Sequence, residues 1–280
     1  MKTFIHRHKF IALSLALAFA LLSAVAFRQA GGTVSASGSQ MAIADVWRVA
    51  PPEPTIPEAE RLKELATRRV EVMKRIGEKG IVVLFSGQAR VYTNDVDYPF
   101  RAENNFYYLT GIKQEGTTLV LIPGAKKTRE ILFMPRPVPA QETWTGHMLT
   151  ADEARARSGV QEIWDSTWFN SLITSFASNV ALPAPQGTRR GGPPAAANEG
   201  PERVKALQED LKPLLDAMSK NEGGIYLLTT GGESREYPQE AAFAAKLAPA
   251  APGLTAKRAQ PILAELRWRK SILLGGHFLQ

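Results

Sequence analysis

Residues 94–111 read NDVDYPFRAENNFYYLTG and concentrate five aromatic side chains in one short segment. Two acids precede a Tyr-Pro pair, and Arg101 follows it closely. Residues 106–109 alternate bulky side chains across two faces, and aromatic residues favour half-buried strands. We therefore predict a strand packed between layers at 106–109, with 98–100 as a rigid turn leading into it.

Apolar runs on both sides of this segment alternate between helix and strand patterns. A short β-branched run at 81–85 predicts a buried strand, and residues 117–122 and 130–134 predict a hairpin around Pro123-Gly124. The same signals predict helices at 58–79, 167–176, 202–219 and 239–247, and a further amphipathic segment at 262–269. They also predict strands at 160–164 and 225–230, and a helix between the Thr150–Glu153 capping box and Gly159. This alternation predicts an α/β fold with helices on a mixed sheet.

Composition excludes several kinds of chemistry. The 280-residue chain has no cysteine, which excludes disulfides, thiolate metal sites and a cysteine nucleophile. No stretch matches the common dinucleotide, nucleotide, serine-hydrolase or zincin motifs. Of the four histidines, His147 is predicted to lie in a surface loop and His277 in the terminal tail. No local spacing therefore predicts a catalytic or metal centre.

The first 30 residues have the pattern of an export signal. Three basic residues precede an apolar stretch at 10–27, and Ala24-Val25-Ala26 offers a signal-peptidase pattern. An uncleaved membrane anchor through 10–27 is the alternative. Both predict a folded part outside the cytoplasm, periplasmic or extracellular. Without those three basic residues the net charge falls from +7 to +4, so the charge gives no basis for a nucleic-acid partner.

The motif YPFRAENNFYYLTG, a second motif ETWTG at 142–146 and the hairpin between them resemble the N-terminal domain of Xaa-Pro aminopeptidases (aminopeptidase P), which belong to the creatinase/prolidase superfamily. The resemblance implies a six-stranded mixed sheet flanked by helices, of ribonuclease H-like type. The positions that match the family pattern are Tyr98, Pro99, Phe100, Arg101, Phe106, Tyr108, Leu109, Thr110 and Gly111.

The resemblance also implies a division of labour. In this family a second domain binds two manganese ions and cleaves the peptide bond before proline. The N-terminal domain caps that site, restricts it to short peptides and builds the oligomer. By resemblance, Asp95, Arg101 and Trp144 line the substrate path or contact a neighbouring subunit. A salt bridge and a packed indole are the structural alternatives for them.

Residues 261–271 resemble the family's approach to the catalytic domain, but the chain continues as ILLGGHFLQ. None of the five metal ligands of the family has a counterpart. We therefore expect an exported capping domain truncated before the catalytic domain, by a frameshift or a premature stop, without its own metal and inactive alone. Its expected partners are copies of itself or the catalytic domain and, in the complete enzyme, proline-containing peptides. The alternatives are a standalone module that binds peptides or a partner, and a membrane-anchored structural protein.

Changes in composition suggest the boundaries between segments. Residues 181–200 are rich in Ala, Pro and Gly and predict an exposed insertion, with a basic docking loop around Arg189 as the alternative. The expected order is a leader at 1–30, a spacer at 31–56, the aminopeptidase P N-terminal domain at 57–180, the insertion at 181–200, the rest of the lobe with a linker at 201–271, and a divergent tail at 272–280.

Overall fold

A computed structural model describes residues 56–94, 96–178, 201–230, 237–250 and 254–268. The predictions for the leader, the spacer, the insertion, the terminal tail with His277, and Asp95 lie outside these residues. In the part of the chain that is described, no helix is both long and apolar enough to cross a membrane.

Six strands form one mixed sheet in the order β6-β5-β4-β1-β7-β8, which confirms the predicted fold class. Strand β4 pairs antiparallel with β1 and β5, and the other three pairings are parallel. Two further strands, β2 and β3, form a separate hairpin. The strands are β1 (Gly80–Phe85), β2 (Val91–Thr93), β3 (Val96–Asp97), β4 (Thr118–Ile122), β5 (Arg129–Met134), β6 (Glu162–Asp165), β7 (Gly223–Leu227) and β8 (Leu254–Arg258).

Helices cover both faces of the sheet. They are α1 (Glu58–Ile76), α2 (Asn104–Thr110), α3 (Pro139–Thr145), α4 (Ala151–Ser158), α5 (Thr167–Ser178), α6 (Pro201–Ser219), α7 (Pro238–Ala250) and α8, residues 260–268. Ile81 and Val83 of β1 belong to the core shared with α5, α6 and α7. Val82 and Leu84 belong to the core shared with α1, α2, α4 and α8. Successive residues of a strand point to opposite faces, so the continuous apolar runs of the central strands suit a sheet covered on both sides.

The boundaries of two predicted strands shift because their terminal backbone groups find other partners. Strand β6 begins at Glu162 rather than Val160, whose amide donates to the hydroxyl of Ser158. Strand β7 ends at Leu227 because the next two amides donate to the Glu240 carboxylate. The sequence patterns did not predict β8 or the β2–β3 hairpin.

The predicted strand at 106–109 is wrong, because these residues lie in helix α2. The Glu103 carboxylate caps the helix by accepting from the backbone amides of Asn105 and Phe106. Gly111 ends it in the left-handed region at φ 67°, where glycine carries no steric penalty. Phe106 and Leu109, three residues apart, are both buried, whereas Tyr107 is exposed. The burial therefore follows the helical period.

A buried arginine connects α1 to α2, α4 and the sheet through hydrogen bonds. Arg69 is 1% exposed, and its Nε donates to Glu130 Oε2 on β5 at 2.8 Å. Its Nη1 donates to the carbonyls of Leu109 and Ser158 at 2.9 and 3.0 Å. These carbonyls lie in the last turns of α2 and α4, where backbone carbonyls lack partners within the helix. One side chain thus joins three helices and the sheet, and fixes the position of α2.

Candidate functional site

The motif segment divides into an exposed part and a buried part. Its first part, together with β2 and β3, exposes four large side chains, and the rings of Tyr92 and Tyr98 meet edge to face with centroids 4.9 Å apart. We refer to these four residues as the exposed hairpin: Val91, Tyr92, Val96 and Tyr98, which are 51% to 66% exposed. The exposure of these four side chains contributes nothing to the core of the fold. Because clustered exposed apolar side chains mark interaction sites, this surface is a candidate contact site.

The second part of the motif serves the fold. Phe106 and Thr110 are fully buried, and the Thr110 hydroxyl donates to the Phe106 carbonyl. The Arg68 guanidinium lies 4.2 Å from the centre of the Tyr108 ring, and partial burial raises the pKa of Tyr108. Gly111 is the helix cap described above. These motif positions are therefore explained by packing and capping.

A cleft of about 490 Å³ opens where β1 ends. Its walls come from the segment 86–90 after β1, from the connection 98–104 leading into α2, and from 237–240 at the start of α7. The motif residues Tyr98, Pro99 and Phe100 line it together with Arg101. The volume falls in the range of small-molecule sites.

Two carboxyl groups lie at the inner wall of this cleft. Glu240 is 2% exposed, and its Oε2 accepts from the amides of Leu228 and Thr229 at 2.8 and 3.3 Å. Burial raises the pKa of Glu240 to about 7, and the charge of Glu103 adds to the rise. Burial also raises the pKa of Glu103, although its capping bonds and the charge of Arg267 oppose this. This wall is therefore acidic, with Glu240 almost completely shielded from water and Glu103 partly buried.

Replacing Glu240 with glutamine should remove a pH dependence of stability. Because the folded pKa exceeds the unfolded value of 4.5, the native state holds its proton longer, and wild-type stability falls as the pH rises from about 4.5 to about 7. A shift of this size corresponds to about 3 kcal/mol. Urea titrations at several pH values measure the free energy of unfolding of wild type and of Glu240→Gln. We expect the difference between the two proteins to change by about 3 kcal/mol between pH of about 4.5 and pH of about 7. Glu209→Gln, on the exposed surface of α6, is the control, and a flat difference for Glu240→Gln would contradict the assignment.

Of the three predicted site residues, Asp95, Arg101 and Trp144, the structure describes the side chain of Arg101. It is exposed at the cleft, and its Nη2 donates to Asn104 Oδ1 at 3.3 Å. Trp144 lies in the last turn of α3, with its side chain outside the described part, as is the whole of Asp95. Their proposed roles therefore stay predictions, while Arg101 is placed beside a cavity.

His147 lies in the exposed loop between α3 and α4, as predicted. Its Nε2 is 2.9 Å from Glu153 Oε1, and its Nδ1 is 3.4 Å from Glu142 Oε1. The bond to Glu153 raises the pKa of His147. The pKa of Glu153 falls to about 2, because it accepts from the Thr150 amide and also bonds His147. This arrangement holds the loop that follows α3.

The described residues do not form a metal centre: over the ranges given above, no group of three or more His, Cys, Asp or Glu side chains could hold a metal ion. They therefore do not fit the two-manganese site that the family resemblance implies for a catalytic domain.

Sequence reasoning missed Glu103 and Glu240 as site residues. Glu103 lay within the quoted motif but was not among the positions that match the family pattern. Glu240 carries a weak local signal, because Pro238 at the first position of α7 followed by an acid in the first turn is typical of a helix start.

Comparisons with known proteins agree with this architecture. Residues 65–181 match the family model described as aminopeptidase P, N-terminal domain. The Xaa-Pro aminopeptidase of Haemophilus influenzae is 28% identical over 118 residues, covering 42% of this chain and 27% of the relative. Human Xaa-Pro aminopeptidase 3 is 33% identical over 131 residues, covering 42% and 26%. The matches thus span about a quarter of these relatives' length.

A solved structure supports the fold. A protein of Bacillus anthracis described as an aminopeptidase P superposes with a TM-score of 0.53 at 22% identity, covering 73% of this chain and 40% of that chain. Fold and site together define a mixed α/β domain with a ligand-sized cleft beside a motif helix. Residues 65–181 are similar to the aminopeptidase P N-terminal domain, and part of the chain is similar to Xaa-Pro aminopeptidases.

Proposed function

We propose that this domain serves an exported Xaa-Pro aminopeptidase as its non-catalytic N-terminal part. It caps the catalytic centre, limits access to short peptides and takes part in subunit contacts. The observation that carries the proposal is the exposed hairpin, which presents Val91, Tyr92, Val96 and Tyr98 to solvent beside the cleft. An aromatic and apolar surface of this kind suits contact with another protein surface.

The chemistry in this proposal belongs to a separate catalytic domain. That domain would hold two manganese ions, which would supply the metal-activated water chemistry for cleaving the bond before proline. Export rests on the leader pattern of residues 1–30 and stays a prediction from sequence. Asp95, Arg101 and Trp144 are the residues proposed to approach the substrate path or a neighbouring subunit.

The non-catalytic role is tested with the 280-residue chain and an Xaa-Pro peptide. We expect no release of the first residue above the buffer blank, with or without added manganese. Mass spectrometry of the products provides the measurement, and an active Xaa-Pro aminopeptidase serves as the positive control. Manganese-dependent release by the purified chain would show that the domain performs chemistry and would overturn this part of the proposal.

The contact role is tested at the exposed hairpin. Light scattering after size exclusion should show self-association of the chain that weakens in the double variant Tyr92→Ser, Val96→Ser. The matched control is Val70→Ser, which changes a 41% exposed valine on α1. The leader is present in all three chains, so a difference between them reports on the hairpin. Equal masses for all three chains would contradict a subunit contact at this site.

A further inference from the structure

The cleft combines features that folding alone leaves unexplained. It is large enough for a small organic molecule, and both acidic and basic side chains line it. Glu103 and Glu240 stand at its inner wall, and Arg90 and Arg101 are exposed around its opening. The charge pattern therefore has a direction, from an acidic interior to a basic rim.

The inner wall has hydrogen-bond acceptors in excess of donors. Gln239 is a lining residue of the cleft, and its Oε1 is inaccessible to solvent and has no hydrogen-bond partner in the described part of the chain. Glu240 accepts from the amides of Leu228 and Thr229 through its Oε2 and has a further hydrogen bond with the backbone of Phe85, and Glu103 Oε1 takes one bond, from Asn105 Nδ2. Each carboxylate can accept about four hydrogen bonds, so acceptor capacity remains on both. Buried acceptors without donors cost free energy that a donor-rich ligand would recover.

An ammonium group suits this wall better than the other candidates. A primary ammonium presents three donors and a positive charge, which match the amide oxygen and the two carboxylates. An anion would meet the negative charges of Glu103 and Glu240. A metal ion is a poorer fit, since the described residues offer no group of three ligating side chains.

The residues at the opening and along the sides of the cleft suit the other parts of a ligand that carries an ammonium group. Arg90 and Arg101 offer guanidinium donors suited to a carboxylate. Aromatic side chains of Tyr98, Phe100 and Tyr237 line the space between and suit an apolar group. The ligand chemistry is then a small zwitterion with an aromatic or apolar side chain, which describes both a free amino acid and a short peptide.

We propose that this cleft binds such a zwitterion, with its ammonium toward Glu103, Glu240 and Gln239 and its carboxylate toward Arg90 and Arg101. The site goes beyond the proposed capping function, because it needs neither a proline residue nor a catalytic domain. It makes the domain a binder of amino acids or peptides in its own right.

Isothermal titration of the 280-residue chain tests the proposal with phenylalanine and with Gly-Phe. The buffer is set one pH unit above the Glu240 pKa of about 7, so that this carboxyl group is charged. We expect phenylalanine or Gly-Phe to bind with a Kd of about 1 mM or below. The probe with the higher affinity shows whether the ligand is a free amino acid or a short peptide. N-acetylation of that ligand should weaken binding at least about tenfold, because it removes a charged donor. Amidation of its carboxylate should weaken binding less, since the rim is exposed. Absence of binding by both, or equal binding of the acetylated form, would overturn the proposal.

Variants locate the ligand in the cleft. Gln239→Leu and Glu240→Gln should each weaken binding about tenfold, and thermal unfolding verifies that both variants are folded. Arg101→Gln should reduce the preference for the free carboxylate over the amide, because only Arg90 then remains, while the preference for the free ammonium is unchanged. Lys205→Gln, an exposed change on α6, is the control and should bind as wild type does. Wild-type affinity in both Gln239→Leu and Glu240→Gln would place the ligand elsewhere and refute the site. Gly-Phe contains no proline, so these results are independent of the peptidase assay.

Discussion

Replacing Arg69 with methionine should lower the free energy of unfolding by about 3–5 kcal/mol, the cost typical of removing one partner from a buried ion pair. The change leaves Glu130 without the guanidinium and deprives the carbonyls of Leu109 and Ser158 of their donor. Methionine retains most of the side-chain volume, so the loss reports on hydrogen bonds and charge rather than on a cavity. Urea titration monitored by circular dichroism measures it as a lower midpoint.

The matched control for Arg69 is a second cation on the same helix. Lys74 forms an exposed pair with Glu71 at 2.9 Å, three residues away on α1. Exposed pairs contribute little, so Lys74→Met should cost less than about 1 kcal/mol. Similar losses for the two variants would mean that Arg69 has no special role in joining α1, α2 and α4.

Replacing Phe106 with alanine should cost about 3–5 kcal/mol, the range for large-to-small changes of buried aromatic residues. Phe106 is fully buried in the core that α1, α2, α4 and α8 form against the sheet. The loss combines the transfer of the ring to water with the cavity left behind. Chemical denaturation measures the difference from wild type.

A substitution at the neighbouring residue, Tyr107, distinguishes the observed helix from the predicted strand. Tyr107 is 42% exposed on α2, and Tyr107→Ala should cost less than about 1 kcal/mol. In a strand packed between two layers, by contrast, 106 and 107 would both be buried and both substitutions would be costly. Comparable losses at the two positions would therefore contradict the helical assignment.

The sequence predicts those elements whose signals are local. Strands β1, β4 and β5 are apolar runs next to turn residues, and Thr150 and Glu153 form the capping box that their spacing indicates. The strand predicted at 106–109 is wrong because the caps at Glu103 and Gly111, and not the aromatic bulk of the segment, determine its secondary structure. Strand propensity depends on context, whereas a cap specifies where a helix begins or ends.

Other elements depend on contacts distant in sequence. Strand β8 has exposed side chains from Thr255 to Arg258 and is ordered by its pairing with β7 at the sheet edge. The β2–β3 hairpin is short and its described side chains are exposed, so no apolar alternation marks it. Neither pattern is visible without the partner strand.

In the candidate site, too, some residues can be predicted from local sequence and others depend on contacts distant in sequence. Family resemblance pointed to Arg101, which lines the cleft. Glu240 reaches the same cleft because β7 pairs with β1, and residues after β7 and at the start of α7 are thereby brought to the end of β1. Because that pairing joins segments far apart in the chain, local patterns could not reveal the Glu103 and Glu240 pair.

The position of β1 in the sheet has a consequence for synthesis on the ribosome. Strand β1 receives β4 on one side early, but its other neighbour, β7, ends only at Leu227. Until then an apolar strand from Gly80 to Phe85 has one unpaired edge, and such edges favour association between chains. The emerging chain therefore passes through a period in which the middle of its own sheet has an apolar edge open to association with other chains.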